Sequence, residues 1–185
     1  MSQGGPLLRR EGTTQGGARW LIRPTRADED ATPLIAVRDA VAAEGEWIAG
    51  APGERTVLEE NLSVANLVAA GGLALTLLVD DRVVGNLMVE RRRGRYESHR
   101  GDVSLAILDG FRGLGLGRAL LDTAVDWARA VGIAKLTLGV FPSNARAIAL
   151  YRSAGFVEEG VLRGHLRLPG GDRDVMLMGL GLTGA

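Results

Sequence analysis

The chain has 185 residues, 46% of them hydrophobic, with 22 basic and 22 acidic side chains that leave no formal net charge. That length and composition suit one ordinary folded domain with a sizeable core, and the charge balance gives no electrostatic case for nucleic acid. The lack of cysteine excludes disulfides, thiolate nucleophiles and Cys-based metal sites, and no apolar run reaches the roughly 20 residues that span a bilayer. Met1 to Gly17 has no apolar core of the signal-peptide kind. It is rich in Gly and polar residues without a period, so residues 1–17 are expected to be a disordered tail and 18–183 a single domain. A cytoplasmic protein is expected.

Arg19 to Pro24 reads as a strand with Trp20 and Ile22 on one face. The spacing of Leu34, Val37 and Val41 predicts a helix up to about Glu44, with Asp28, Glu29 and Asp30 placing negative charge at its first turn. Gly45 to Gly53, holding Trp47 and Ile48, reads as a loop before a second helix from about Thr56 to Ala69. The pair can form a lid over a cleft or a plain packing layer. Leu73–Val79 and Arg82–Val89 form a predicted hairpin over Asp80-Asp81. The basic run Arg91 to Arg95 that follows suits either a solvated hairpin tip or a device that steers phosphates or an acidic acceptor.

A strand-like run, Val103 to Leu108, breaks at Asp109-Gly110 and passes Gly113, Gly115 and Gly117 before a helix begins. Glycines at alternate positions permit positive φ and close approach to the backbone. Free amides at a helix start, with the helix dipole, favour a phosphate, and Arg112 adds positive charge; tight strand-to-helix packing explains the same glycines. Neither of two familiar nucleotide motifs fits. A P-loop needs Lys where Leu116 stands, and the dinucleotide fingerprint needs Gly where Arg118 stands.

The helix stripe Leu116, Leu120, Ala124, Ala128 ends at Gly132, and Lys135–Phe141 alternates as a strand, giving a parallel βαβ unit. A short helix from Ala145 to about Ala154 is capped by Ser143 or Asn144. Val157–Leu168 and Asp174–Leu182 form a predicted terminal hairpin.

Arg112-Gly113-Leu114-Gly115-Leu116-Gly117 fits R/Q-x-x-G-x-G/A, and Asn144 to Phe156 fits N-x-x-A-x-x-L-Y-x-x-x-G-F. In that order they resemble the two signatures of the GNAT superfamily of acetyl-CoA-dependent N-acetyltransferases. The string from Gly160 to Met178 is similar to the branch that includes spermidine and ribosomal-protein N-terminal acetyltransferases. The resemblance implies an α/β (α+β) fold: a mixed, mostly antiparallel sheet with a central βαβ unit flanked by helices. It implies acetyl-CoA as co-substrate and no metal. The turn residues Arg112, Gly113, Leu114, Gly115, Leu116, Gly117 and Arg118 would bind the cofactor, its pyrophosphate held by their backbone amides. Asn144 and the backbone amides near Ile107 and Leu108 on a bulged strand complete that site, and Tyr151 stands as the acid for the leaving thiolate.

The implied reaction moves an acetyl group from acetyl-CoA to a primary amine by direct attack in a ternary complex. The acceptor is a small-molecule amine or a protein N-terminus, with neither nucleic acid nor membrane as partner, and a homodimer through the terminal strands is common in such folds. The alternative is a non-catalytic acyl-CoA-binding regulatory module. An amine of pKa about 10 is neutral in about one molecule per thousand at pH 7, a handicap of roughly 4 kcal/mol, so something must take its proton. Relatives place a glutamate on the central strand, but Val103 to Leu108 holds no carboxylate. Glu44, Glu46, Glu90, Asp102 or water remain as bases. Of the two histidines, His99 lies in the charged hairpin, and His165 faces either an acceptor or solvent.

Overall fold

The computed structural model describes residues 8–45, 47–48 and 50–182. The strands are β1 Arg10–Thr13, β2 Arg19–Pro24, β3 Leu73–Val79, β4 Arg82–Arg91, β5 Arg100–Ile107, β6 Lys135–Val140, β7 Val157–Leu168 and β8 Gly171–Gly181. The helices are α1 Ala27–Ala43, α2 Val57–Ala69, α3 Leu116–Ala130 and α4 Ala145–Ser153. All strands join one sheet in the order β1-β2-β3-β4-β5-β6-β8-β7, antiparallel throughout except for β5 against β6. The mixed, mostly antiparallel sheet and its βαβ centre are those expected.

Two expectations need correction. Arg10–Thr13 pairs with Trp20 and its neighbours as a sheet-edge strand, so the expected tail is ordered from Leu8 onward; residues 1–7 lie outside the described residues. Gly12 makes this pairing possible, because a Cβ there would come within 2.7 Å of the Trp20 ring. The central strand also starts three residues before Val103, at Arg100.

Alternation in β3 shows how the layers are built. Leu73, Leu75 and Leu77 join Leu116, Leu120 and Leu121 of α3 in one apolar cluster, while the buried Thr76 points the other way and bonds to α1. The sheet is thus covered on both faces, with α3 on one and α1 on the other. Asp30, expected only as a helix-dipole charge, is 2% exposed. Its carboxylate accepts from Arg23 Nη1 at 2.6 Å and Nη2 at 2.8 Å, from the Arg26 amide at 2.8 Å and from Thr76 Oγ1 at 3.0 Å. Burial pushes this carboxyl up, but the donors from Arg23, Arg26 and Thr76 outweigh it and hold it below the usual range. The network ties α1 to β2 and β3. In this way it fixes the helix whose far end carries Glu44.

Candidate active site

Strand β5 pairs with β6 only at Arg100↔Lys135, Gly101↔Leu136 and Asp102↔Thr137. Asp102 sits at this fork, bonded to the Thr137 hydroxyl and ion-paired with Arg92. Beyond it β5 and β6 no longer pair, and a cleft of about 970 Å³ borders both strands, with β8 and α4 among its other walls.

The register of β5 against β4 decides which amides face that cleft. Arg92 N donates to Arg100 O and Leu108 N to Val84 O, so Arg92/Arg100 and Val84/Leu108 are hydrogen-bonded pairs, and the pairs between them alternate. Leu105 and Ile107, opposite Leu87 and Gly85, fall on the non-bonded positions and turn their N–H groups away from β4, toward the fork. The Ile107 amide therefore has the orientation expected of a carbonyl donor. The Leu108 amide does not, because it is spent on Val84, and this corrects its expected role. The bulge expected in the central strand lies instead in its neighbour, where the pairing of β3 with β4 slips between Leu77 and Leu78.

At the end of β5 the chain enters the glycine turn. Gly113 and Gly115 take φ of +79° and +80°, and no heavy atom lies within 4 Å of where a Cβ would stand on either. Ala119 N is the first amide of α3 to find a backbone acceptor, that of Gly115; among the described residues every amide from Arg112 through Arg118 lacks one. This run of unclaimed donors at the start of a helix is a cradle for an anion. Gly117 serves differently from the expectation of a third positive φ. It is helical, and a Cβ there would meet Leu150 Cδ2 at 2.8 Å, so its role is to let α4 approach α3.

Arg112 is not a spare charge beside the cradle. Its Nε donates to Ile107 O at 2.8 Å, and Nη1 and Nη2 donate to the two oxygens of Glu44 at 2.7 Å each. Trp47 Nε1 adds a bond to Glu44 Oε2 at 2.5 Å. The bidentate pair clamps the end of α1 to the glycine turn. Hydrogen bonding from Arg112 holds the Glu44 carboxyl below the usual range, against the smaller effect of burial, and both of its oxygens are engaged in the clamp. Arg118 is likewise engaged, by Asp122 at 2.8 Å and the Ser153 carbonyl at 2.9 Å.

Asn144 caps α4, its Oδ1 accepting from Ala147 N at 3.0 Å, and borders the cleft. Tyr151, 7% exposed, also borders it, with its ring tilted at 58° against Phe156 at a centroid distance of 6.0 Å. Burial pushes its phenol up to about 12, so it stays protonated and able to donate through the neutral range. Ile107, Arg112, Gly113, Gly115, Gly117 and Arg118 all line the cleft together with Tyr151 and Asn144. Leu108, Leu114 and Leu116 do not, and Leu116 is a core residue.

Among the carboxylates expected as bases, Glu90 is exposed on β4 and Asp102 is held in the fork; neither borders the cleft. Glu46 lies outside the described residues. His165 does border the cleft, whereas His99 is exposed in the β4–β5 connection. Trp47, Ile48, Arg146 and Leu177 line it too and were not singled out from sequence. Only Trp47, an aromatic in a Gly-rich loop, carried a usable signal.

Comparison with known proteins identifies the family and the fold. The family model described as Acetyltransferase (GNAT) family matches residues 46–156, which include the fork, the cradle and Tyr151. The [ribosomal protein bS18]-alanine N-acetyltransferase of Escherichia coli strain K12 is 39% identical over 80 residues, 43% of this chain and 54% of that protein. The match thus spans about half the length of that curated relative. A ribosomal-protein-alanine N-acetyltransferase structure from Brucella melitensis superposes with a TM-score of 0.80 at 26% identity, covering 87% of this chain and 99% of that one. A Salmonella typhimurium acetyltransferase structure with its cofactor acetyl-CoA shares the fold at TM-score 0.81 and 21% identity, covering 89% and 94%. With two ordered signatures meeting across one forked sheet, and a family match over more than half its length, the chain belongs to the GNAT acetyltransferase family.

Proposed function

We propose that the chain is an N-acetyltransferase that moves an acetyl group from acetyl-CoA to a primary amine by direct attack within a ternary complex. The observation that carries this reading is the cradle. Among the described residues, consecutive amides from Arg112 to Arg118 have no backbone acceptor, and the turn that carries them lines the same cleft as Tyr151. These residues fit a pyrophosphate: free amides lie in sequence, Gly113 and Gly115 hold positive φ that a side chain would strain, and the space beside each is open.

Bound acetyl-CoA supplies a thioester as acyl donor. The rest falls to residues of this chain. The turn amides hold the pyrophosphate, and the Ile107 amide, turned toward the fork, donates to the acyl oxygen as charge develops there. Tyr151 donates to the departing sulfur. With its phenol near 12, it acts as a hydrogen-bond donor rather than by full proton transfer to a thiolate whose conjugate acid ordinarily lies about 3.5 units lower. Exposed Arg146, in the first turn of α4 on the cleft rim, is a further cation for the cofactor phosphates.

The acceptor is a small-molecule amine or a protein N-terminus, the setting cytoplasmic, and the assembly to test by light scattering a homodimer through the terminal strands. Calorimetric titration with acetyl-CoA, with Gly115→Glu as control, tests the cofactor assignment; absence of binding at millimolar ligand overturns it. Thiol release across alanine-terminated peptides, polyamines and small amino compounds then tests transfer. Binding that persists with no release for any amine, together with indifference to Tyr151→Phe, favours the non-catalytic module.

A further inference from the structure

The terminal hairpin departs from regular pairing beside the cleft. Leu162 opposes Val175 and Leu166 opposes Arg173, so Arg163, Gly164 and His165 stand against Asp174 alone. Gly164 takes φ +54°, which lets the extra residues bulge. Asp174 closes the bulge from the facing strand, accepting from the Gly164 amide at 2.8 Å and from Arg163 Nη1 at 2.7 Å. The exposed His165, inside the bulge, and Leu166, just after it, both border the cleft, which Tyr151 and Ile107 also line.

The other ionisable groups around the cleft are already accounted for. Glu44 on α1 has both oxygens bonded to Arg112, and Arg112 and Arg118 at the turn are cations in ion pairs. Asp109, 80% exposed in its side chain, is in the glycine turn itself, 3.8 Å from Arg112. Arg146 and Tyr151 on α4 are proton donors at neutral pH. Gly139 of β6 brings no side chain to the wall, and a Cβ there would meet Val175 at 2.9 Å. Around His165 itself the charged groups are Arg163 and Asp174 of the bulge, Arg173 opposite Leu166, and Asp172, which lies beside Gly164 and is ion-paired with Arg167.

We propose that His165 takes the proton from the acceptor amine and that Asp174 positions it by fixing the bulge. This rests on the transferase reading above. The alkylammonium has no free electron pair, so one proton must leave before attack: it passes to the unprotonated imidazole nitrogen of His165, directly or through one water, and then to solvent. The freed amine nitrogen then forms its bond to the acyl carbon, the carbon–sulfur bond breaks and the thiolate leaves with the electron pair, hydrogen-bonded by Tyr151, while the second proton on nitrogen passes to solvent.

The test compares wild type with His165→Gln and His165→Ala on two acceptors, an alkylamine that is protonated at pH 7 and an alkoxyamine that is already neutral. His165→Gln is expected to lower kcat for the alkylamine about 100-fold with much less effect on the alkoxyamine, and added imidazole is expected to restore part of the His165→Ala loss. Calorimetric affinity for acetyl-CoA stays unchanged. Equal loss with both amines, or loss of acetyl-CoA affinity, overturns the proposal. A second readout needs no turnover: carbethoxylation of His165 by diethyl pyrocarbonate, followed by mass spectrometry with His99 as internal reference. Asp174→Asn is expected to change the rate at His165 and leave His99 alone; an unchanged rate overturns the positioning role. If wild type transfers to no amine while these rates shift as expected, the transferase reading fails and the bulge geometry stands.

Discussion

The two walls of the cleft are made from different materials. On the wall proposed for the cofactor, from β5 through α3 to α4, the groups on offer are backbone amides, presented by positive-φ glycines and by a helix start. The opposite wall, proposed for the acceptor, is lined by Trp47 and Ile48 of the loop after α1 and by His165, Leu166 and Leu177 of the β7–β8 hairpin. A backbone site depends on a local pattern of residues that permit one conformation. A side-chain site depends on distant segments converging. The first is expected to fail at single glycines, the second to be tuned by residues that touch no cofactor.

Gly115→Glu attacks the backbone wall most directly. It forces a side chain into φ +80° and an anion into the cradle, and acetyl-CoA binding by calorimetry is expected to be lost while far-ultraviolet circular dichroism keeps the folded signal. Asp30→Asn probes the other wall through its foundation. It leaves the largely buried Arg23 without its counter-charge and is expected to cost about 3 kcal/mol in denaturant unfolding. Because the native carboxyl is held low, the stability it contributes is present above the ordinary carboxylate range and lost as pH falls below it.

Tyr151→Phe sits between the walls. It is expected to lower kcat about 100-fold with acetyl-CoA affinity unchanged, read by thiol release and calorimetry. The same residue gives an alkaline signature. Its phenol is raised in the folded state, so stability is intact below about pH 10 and falls by about 2 to 3 kcal/mol as pH rises toward 12; Tyr151→Phe is expected to remove that decline. Glu44→Gln sharpens the comparison at the seam. It loosens a partly exposed clamp, and the expected change is under about 1 kcal/mol in stability, with a rise in KM for the acceptor rather than for acetyl-CoA.

The chain order of strands and helices was legible because local signals agree. Asp80 and Asp81 both adopt positive φ in the β3–β4 turn, Thr56 and Glu59 form a capping box at α2, and the α3 stripe faces the core. The glycine turn into α3 was legible for the same reason: glycine spacing and a helix start are both properties of neighbouring residues. Residues 10–13 were misread because a four-residue edge strand rich in Gly and charge has little period of its own, and it is held by Trp20 and by Arg10 pairing with Asp126 of α3.

Tertiary structure alone decided the use of each charge. Arg112 and Glu44 are 68 positions apart, and nothing in either neighbourhood predicts that each would neutralise the other. Asp30 among three consecutive acids, Leu108 rather than Ile107 spending its amide on β4, and the bulge that brings His165 beside Asp174 at the cleft are of the same kind. Backbone conformation is limited by sterics between near neighbours, so the sequence determines it locally. Pairing, burial and the direction of a side chain depend on what the rest of the chain brings alongside, and that is known only once the sheet has closed around it.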